Sequence, residues 1–318
     1  MKNIVFLDYD TLPNEIELKK INGASNLICY PQTSASEISD RVRNANIIIT
    51  NKVKIPHDII EKSSNLELIA IAATGTDIID LQACRKKGVT VVNIRNYAVE
   101  TVPEHTFALM LNLRRNITAY QQSVQLCRWQ QSGQFCFFDY QIKNLSGAKL
   151  GIIGDGVLGK RVSEIAKCFG MQVVFSSHTT RHSPEEVYAD FDEVITNSDI
   201  ITLHCPLRES TKNMISSREF KMMKSSALLI NTARGGLVNE TDLYYAITQG
   251  EIAGAAFDVA VNEPPGPDEL IMKLTALHNF ILTPHISWAS TEAIQTLVDI
   301  LIENINAYLE GAPQNVVV

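Results

Sequence analysis

Short apolar runs rich in valine and isoleucine recur along the chain, separated by amphipathic stretches. The first set covers residues 4–8, 27–30, 46–50, 66–73 and 89–94. Runs this short and this β-branched suit strands buried on both faces. The stretches between them, such as 36–44 and 80–87, suit helices. Such alternation predicts a parallel sheet with crossover helices. A second set follows at 150–154, 173–176, 199–204, 227–232, 252–258 and 280–283. The fold class is therefore α/β, with two successive parallel-sheet units in a chain of 318 residues, long enough for two domains.

No Gly/Pro linker joins the units; a helix does. Thr101-Val-Pro-Glu104 has the pattern of a capping box with proline in the first turn. Along the next turns Phe107, Leu109, Met110, Leu111 and Leu113 point in nearly every direction, so the helix must be covered on all sides. Either it is a central core helix or a second subunit covers one face; because it lies between domains, a subunit interface is favoured, giving a homodimer. A last helical stretch runs over 289–310.

The run at 150–154 leads into Gly154-Asp-Gly156-Val-Leu-Gly159. In a strand–turn–helix context this spacing fits a dinucleotide pyrophosphate. The first glycine allows the tight turn, the second lets backbone approach the phosphates, and the third lets helix and strand pack. The helix that follows offers its N-terminal N–H groups to the charge. The same fingerprint calls for an acid at the end of the next strand to hold the ribose, but Ser177 stands there. A serine does not repel a 2′-phosphate, and His178, Thr179 and Arg181 can hydrogen-bond one. This position leaves both NAD(H) and NADP(H) open, with a slight lean toward tolerance of NADP(H).

Ligands of open parallel sheets bind beyond the carboxyl ends of the strands. In the second unit those ends deliver Arg234, Asp258, Glu263 and His285 to one rim. This set suits reduction of a 2-oxo acid. Arginine offers a planar fork to a carboxylate and polarises a carbonyl. Histidine exchanges a proton near neutral pH, and a neighbouring carboxylate favours its charged form. Hydride comes from the cofactor, so no metal is required. His204, at another strand end, is expected to line the cofactor cleft or to be structural. His105 is expected at an interface and His57 and His278 at the surface. Trp288, Phe137 and Phe138 are candidates to bound the pocket.

A formal net charge of -7, with no long basic run, argues against a nucleic-acid partner. Only residues 4–7 form an apolar run near the start, too short for a signal peptide, and no segment has the length of a membrane span. A cytoplasmic protein is expected. The six cysteines form no CxxC pair and read as reduced thiols rather than metal ligands or disulfides.

In order along the chain, AATGTDIIDL, NYAVETVPEH, GDGVLG, LHCPLRESTKNMI, INTARGGLVNE, GAAFDVAVNEPP and TPHISWAS resemble the D-isomer-specific 2-hydroxyacid dehydrogenases. QFCFFDYQI and the opening IVFLD are most similar to the glycerate dehydrogenase (hydroxypyruvate reductase) branch. The resemblance implies a flavodoxin-like substrate domain, 1–97 plus 289–318, and a cofactor domain, 98–288, with the active site in the cleft between them. It implies that Arg234 binds substrate, Glu263 pairs with the histidine and His285 is the acid–base. It places Asp258 at the nicotinamide carboxamide, Val157 and Leu158 along the pyrophosphate, and Thr232 and Ala233 near the nicotinamide. The backbone N–H groups of Thr74, Gly75 and Thr76 would hold the substrate carboxylate. Family members usually dimerise through the cofactor domain, and the glycerate dehydrogenase likeness implies NAD(H). Formate dehydrogenases of this fold have glutamine where Glu263 stands, and the family's corepressors sense the dinucleotide without turnover. Glu263 and the intact Arg–Glu–His set favour a hydroxyacid enzyme.

Overall fold

The computed structural model describes residues 2–13, 15–22, 24–176 and 186–318, and the chain divides into two compact units. The first unit holds residues 1–97 and 289–318, and the second holds 98–288.

In the first unit the strands are β1 (Lys2–Phe6), β2 (Ala24–Cys29), β3 (Ile47–Thr50), β4 (Leu68–Ile71) and β5 (Thr90–Val92), in the order β2-β1-β3-β4-β5. All pair in parallel, and the order is that of a flavodoxin-like sheet. β3 and β4 are buried throughout, as continuous apolar runs require. Edge strand β2 departs from this: Leu27 and Ile28 stay more than a third exposed. Asp80 caps the helix Leu81–Lys87 by accepting from the Ala83 N–H at 2.9 Å, and Gly88 ends it in the left-handed region.

The returning segment completes this unit. The helix Thr291–Leu309 buries Ile294, Leu297, Val298, Leu301, Ile302 and Ile305. Its Asn304 side chain donates to the Asn93 carbonyl at 3.0 Å. After the helix, Val317 and Val318 exchange backbone hydrogen bonds with Val91.

In the second unit the strands are β6 (Lys149–Ile153), β7 (Gln172–Ser176), β8 (Ile200–Leu203), β9 (Leu228–Asn231), β10 (Gly254–Phe257) and β11 (Phe280–Leu282). The order is β11-β10-β9-β8-β6-β7, all parallel. Beyond β7, Phe175 bonds to Val187 and Ala189 through backbone groups, a stub of a further strand on that edge. This is a Rossmann sheet, whose strand order reverses between β6 and β8.

The helix Thr101–Arg115 differs from expectation in two ways. Thr101 lies inside the helix and caps nothing; its hydroxyl donates to the Ser287 carbonyl at 3.1 Å. Phe107, Leu109, Met110 and Leu113 are buried in the core of their own unit, with Leu150, Ile152, Leu228 and Ile230. The helix therefore needs no second subunit to cover it. Exposed apolar surface lies further on, at Ile117, Leu126, Trp129, Phe135, Phe138 and Ile142.

Leu301 has no exposed surface. Leu301→Ala is expected to destabilise the first unit by about 2–5 kcal/mol, the cost of a buried cavity. Urea unfolding followed by circular dichroism checks this.

Candidate active site

β6 ends at the glycine turn. Gly154 has φ 106°, and a Cβ there would stand 2.5 Å from the His204 carbonyl oxygen. At Gly159 a Cβ would stand 2.2 Å from the Gly154 carbonyl oxygen. Only glycine fits either place. At Gly156, by contrast, nothing lies within 4 Å of a Cβ, so backbone faces open space at the start of the helix Val157–Cys168. An open approach, a tight turn and first-turn N–H groups without intrahelical partners fit a dinucleotide pyrophosphate. Val157 is exposed there and Leu158 half-buried. Ser177 lies outside the described residues.

At the end of β8, the His204 Nε2 is 3.0 Å from the Thr202 hydroxyl, and burial pushes the imidazole pKa down to about 4. His204 is therefore neutral near pH 7. At the end of β9, the fully buried Asn231 fixes the turn. Its Oδ1 accepts from the Ala233 N–H at 3.1 Å and its Nδ2 donates to the Arg234 carbonyl at 2.9 Å. Thr232 is tied to Thr106 through their hydroxyls at 3.1 Å. The Arg234 Nη1 donates to the Ala233 carbonyl at 2.8 Å.

Glu263 and His285 meet. The Glu263 Oε2 is 2.7 Å from the His285 Nδ1, and Glu263 Oε1 accepts from the Ala260 N–H at 3.1 Å. A carboxylate only accepts, so the proton of the neutral ring sits on Nδ1. Among the described residues, nothing bonds His285 Nε2, which leaves that nitrogen for a reactant. Nearby, Glu240 accepts from the Val261 N–H at 2.7 Å. Burial raises its pKa, with the charges of Glu269 and Glu263 adding to the rise.

The Asp258 carboxylate has no exposed surface. Oδ1 accepts from the Thr283 hydroxyl at 2.5 Å and the Ile286 N–H at 2.9 Å, and Oδ2 accepts from the Ser287 N–H at 2.8 Å. Asp258 holds the turn that carries His285. His105 is part of the same network. Its Nε2 is 3.1 Å from the Thr283 hydroxyl and 3.6 Å from Asp258 Oδ1. Because the Thr283 hydroxyl gives its hydrogen to Asp258, it accepts from His105. Trp288 belongs to the same turn, its indole donating to the His285 carbonyl at 2.8 Å. Phe138 is 80% exposed.

In the first unit, Thr74–Thr76 follow β4. The Thr74 hydroxyl donates to the Ile94 carbonyl at 2.8 Å, and the Thr74 carbonyl accepts from Asn93. Among the described residues, nothing accepts from the three backbone N–H groups at 74–76. No group of three or more His, Cys, Asp or Glu is placed to hold a metal, and no helix is long and apolar enough to cross a membrane, among the described residues.

A Rossmann sheet with a phosphate-ready glycine turn, and a carboxylate-oriented histidine on the same rim, defines a nicotinamide-dependent oxidoreductase. Comparison with known proteins gives the family. The model for the NAD binding domain of D-isomer specific 2-hydroxyacid dehydrogenases matches residues 107–287. A glycerate dehydrogenase of Methylorubrum extorquens is 46% identical over 317 residues, 99% of each chain. An acyclic imino acid reductase solved with NADPH and D-Arg superposes with a TM-score of 0.86 at 29% identity, covering 99% of this chain and 100% of that one. The D-lactate dehydrogenase of Aquifex aeolicus, solved with NAD and lactic acid, has a TM-score of 0.84 at 27% identity, covering 98% and 96%. The chain belongs to the D-isomer specific 2-hydroxyacid dehydrogenase family.

His204 gives a pH prediction. Its folded pKa of about 4 lies below the ordinary 6.5, so the unfolded state binds more protons between those values. Its contribution to stability is whole above pH 6.5 and is lost as pH falls through 4. His204→Asn should flatten the wild-type decline in that window by up to about one proton, read from urea midpoints across pH.

Proposed function

We propose that this enzyme reduces hydroxypyruvate to D-glycerate, and glyoxylate to glycolate, with NADH, and runs the reverse reaction. The Glu263–His285 pair at 2.7 Å carries the reading. When bound, the nicotinamide supplies or takes up the hydride. The residues do the rest. The Arg234 guanidinium holds the substrate carboxylate and polarises the ketone. As hydride reaches C2, protonated His285 gives its Nε2 proton to the ketone oxygen. The ring becomes neutral and the product is the 2-hydroxy acid. Glu263 fixes the tautomer and, unlike a neutral amide, also stabilises the charged ring. A reaction without proton transfer would have no use for this pair. His204, neutral, and Thr232 line the cofactor side, with Gly154, Gly156, Val157, Leu158, Gly159 and Ala233.

The glycerate dehydrogenase likeness over nearly the whole chain supports the substrate, and the match to the family's NAD binding domain supports NADH. The serine at 177 supports acceptance of NADPH as well. Free cysteines and a nicotinamide requirement support a cytoplasmic setting.

Absorbance at 340 nm, followed with hydroxypyruvate or glyoxylate and each nicotinamide, tests the function. Turnover with hydroxypyruvate is expected. Cofactor binding without loss of absorbance would overturn the reading. His285→Ala should lower kcat by about 10²–10⁴-fold, with NADH affinity measured by fluorescence unchanged.

We further propose a homodimer through the cofactor unit. Leu126, Phe135 and Phe138 are 75%, 89% and 80% exposed within one stretch of that unit. Apolar exposure this dense marks an association surface. Leu126→Glu with Phe135→Glu should halve the mass seen by light scattering.

A further inference from the structure

The strands of the cofactor unit have a second end. Past the amino ends of β9, β10 and β11, two adjoining cavities of about 250 and 400 Å³ share Arg114, Lys143 and Ser226. The reacting groups and the glycine turn lie at the carboxyl ends, so this groove is no part of the site described above.

Arg114 is the centre of the groove. It is only 9% exposed. Its Nε and Nη2 both donate to the Asn144 carbonyl, at 3.1 and 2.5 Å. A guanidinium has five N–H donors, so this strap to the chain uses one edge of it. Among the described residues, nothing bonds Nη1, and no buried side-chain nitrogen lacks a partner. Nη1 is therefore open to the cavity. The half-buried Lys143 ammonium and the Ser226 hydroxyl also have no partner among the described residues.

The neighbouring carboxylates are engaged elsewhere. Asp139 is bound by Arg128 at 2.7 and 2.9 Å. Asp199 accepts from Lys224 at 2.8 Å and from the Lys149 N–H at 2.9 Å. Counting Arg128 and Lys224 against these acids, Arg114 and Lys143 leave a positive surplus, in a chain whose net charge is -7. Burial lowers the Arg114 pKa, outweighing the opposing pull of Asp199. A buried cation whose free donors face a cavity is completed by an anion.

We propose that this groove binds a phosphate group, held by the Arg114 guanidinium, the Lys143 ammonium and the Ser226 hydroxyl. Guanidinium, ammonium and hydroxyl donors lining one groove suit an oxyanion with several acceptor oxygens, such as phosphate. Free phosphate and a phosphate monoester share this chemistry.

Calorimetric titration of the NADH-saturated enzyme tests it, since bound cofactor then occupies the glycine turn. Inorganic phosphate and glycerol 3-phosphate are the two probes. Wild type should bind at least one of them, and the tighter identifies free anion or ester. Lys143→Glu should weaken binding at least about tenfold, the loss of one charge-assisted hydrogen bond, while turnover without phosphate stays unchanged. Ser226→Ala should weaken it less. A selenate-soaked crystal should show the anion beside Arg114 Nη1. Binding unchanged in Lys143→Glu, selenate found only elsewhere, or no binding of either probe would each overturn the proposal.

Discussion

One buried carboxylate holds the reacting end of the cofactor unit in shape. Asp258 has no exposed surface and accepts from the Thr283 hydroxyl and from the N–H groups of Ile286 and Ser287. Between these anchors His285 sits at φ 54°, a left-handed backbone that side chains other than glycine, asparagine and aspartate rarely adopt. The strain is local, and the surrounding bonds over-determine it. A buried anion is tolerated only when its oxygens are bonded, and this one turns that need into a constraint on the loop. Thr101 and His105, one helical turn apart, bind Ser287 and Thr283, so the helix grips the same turn from the other side. Glu263 then fixes the ring itself.

The three strands that present the reacting groups also floor the phosphate groove. β9 begins just after Ser226 and Ala227 and ends before Arg234. β10 begins after Ala253 and leads into Asp258, and β11 begins after Asn279 and leads toward His285. Each is three or four residues long, so the two ends stand about 10–13 Å apart. Parallel pairing makes this possible: it puts all carboxyl ends on one side and all amino ends on the other.

Much of this was legible in the sequence, and the physical reason is burial. A strand covered on both faces reads as an unbroken apolar run, and every such run became a strand. The glycine turn was legible because two of its positions admit no side chain at all. The Glu263–His285 pair left a trace too, as polar residues that follow where apolar runs stop. Direction was not legible. That Asp258 turns inward depends on the N–H groups of a turn that sequence spacing does not orient. His105 and Thr283 are 178 residues apart, and no local pattern joins them. An all-round apolar helix could not say whether its own core or a partner covers it; here Leu150, Ile152 and Ile230 do. Asn231 left a trace, a polar residue closing the run Leu228–Asn231, and its bonds to Ala233 and Arg234 explain it.

The order of the units along the chain sets a further constraint. Residues 98–288 are inserted into the first unit, which is completed only by 289–318. The helix Thr291–Leu309 supplies that unit with a face of buried Ile, Leu and Val, and Asn304 reaches Asn93 across 211 residues. Closing so long a loop costs conformational entropy that grows only slowly with its length. A compact insert shortens the effective loop, since its own ends are held close by the Thr101–Ser287 hydrogen bond. That contact therefore serves twice: it steadies the turn carrying His285, and it brings together the two points where the chain passes between units.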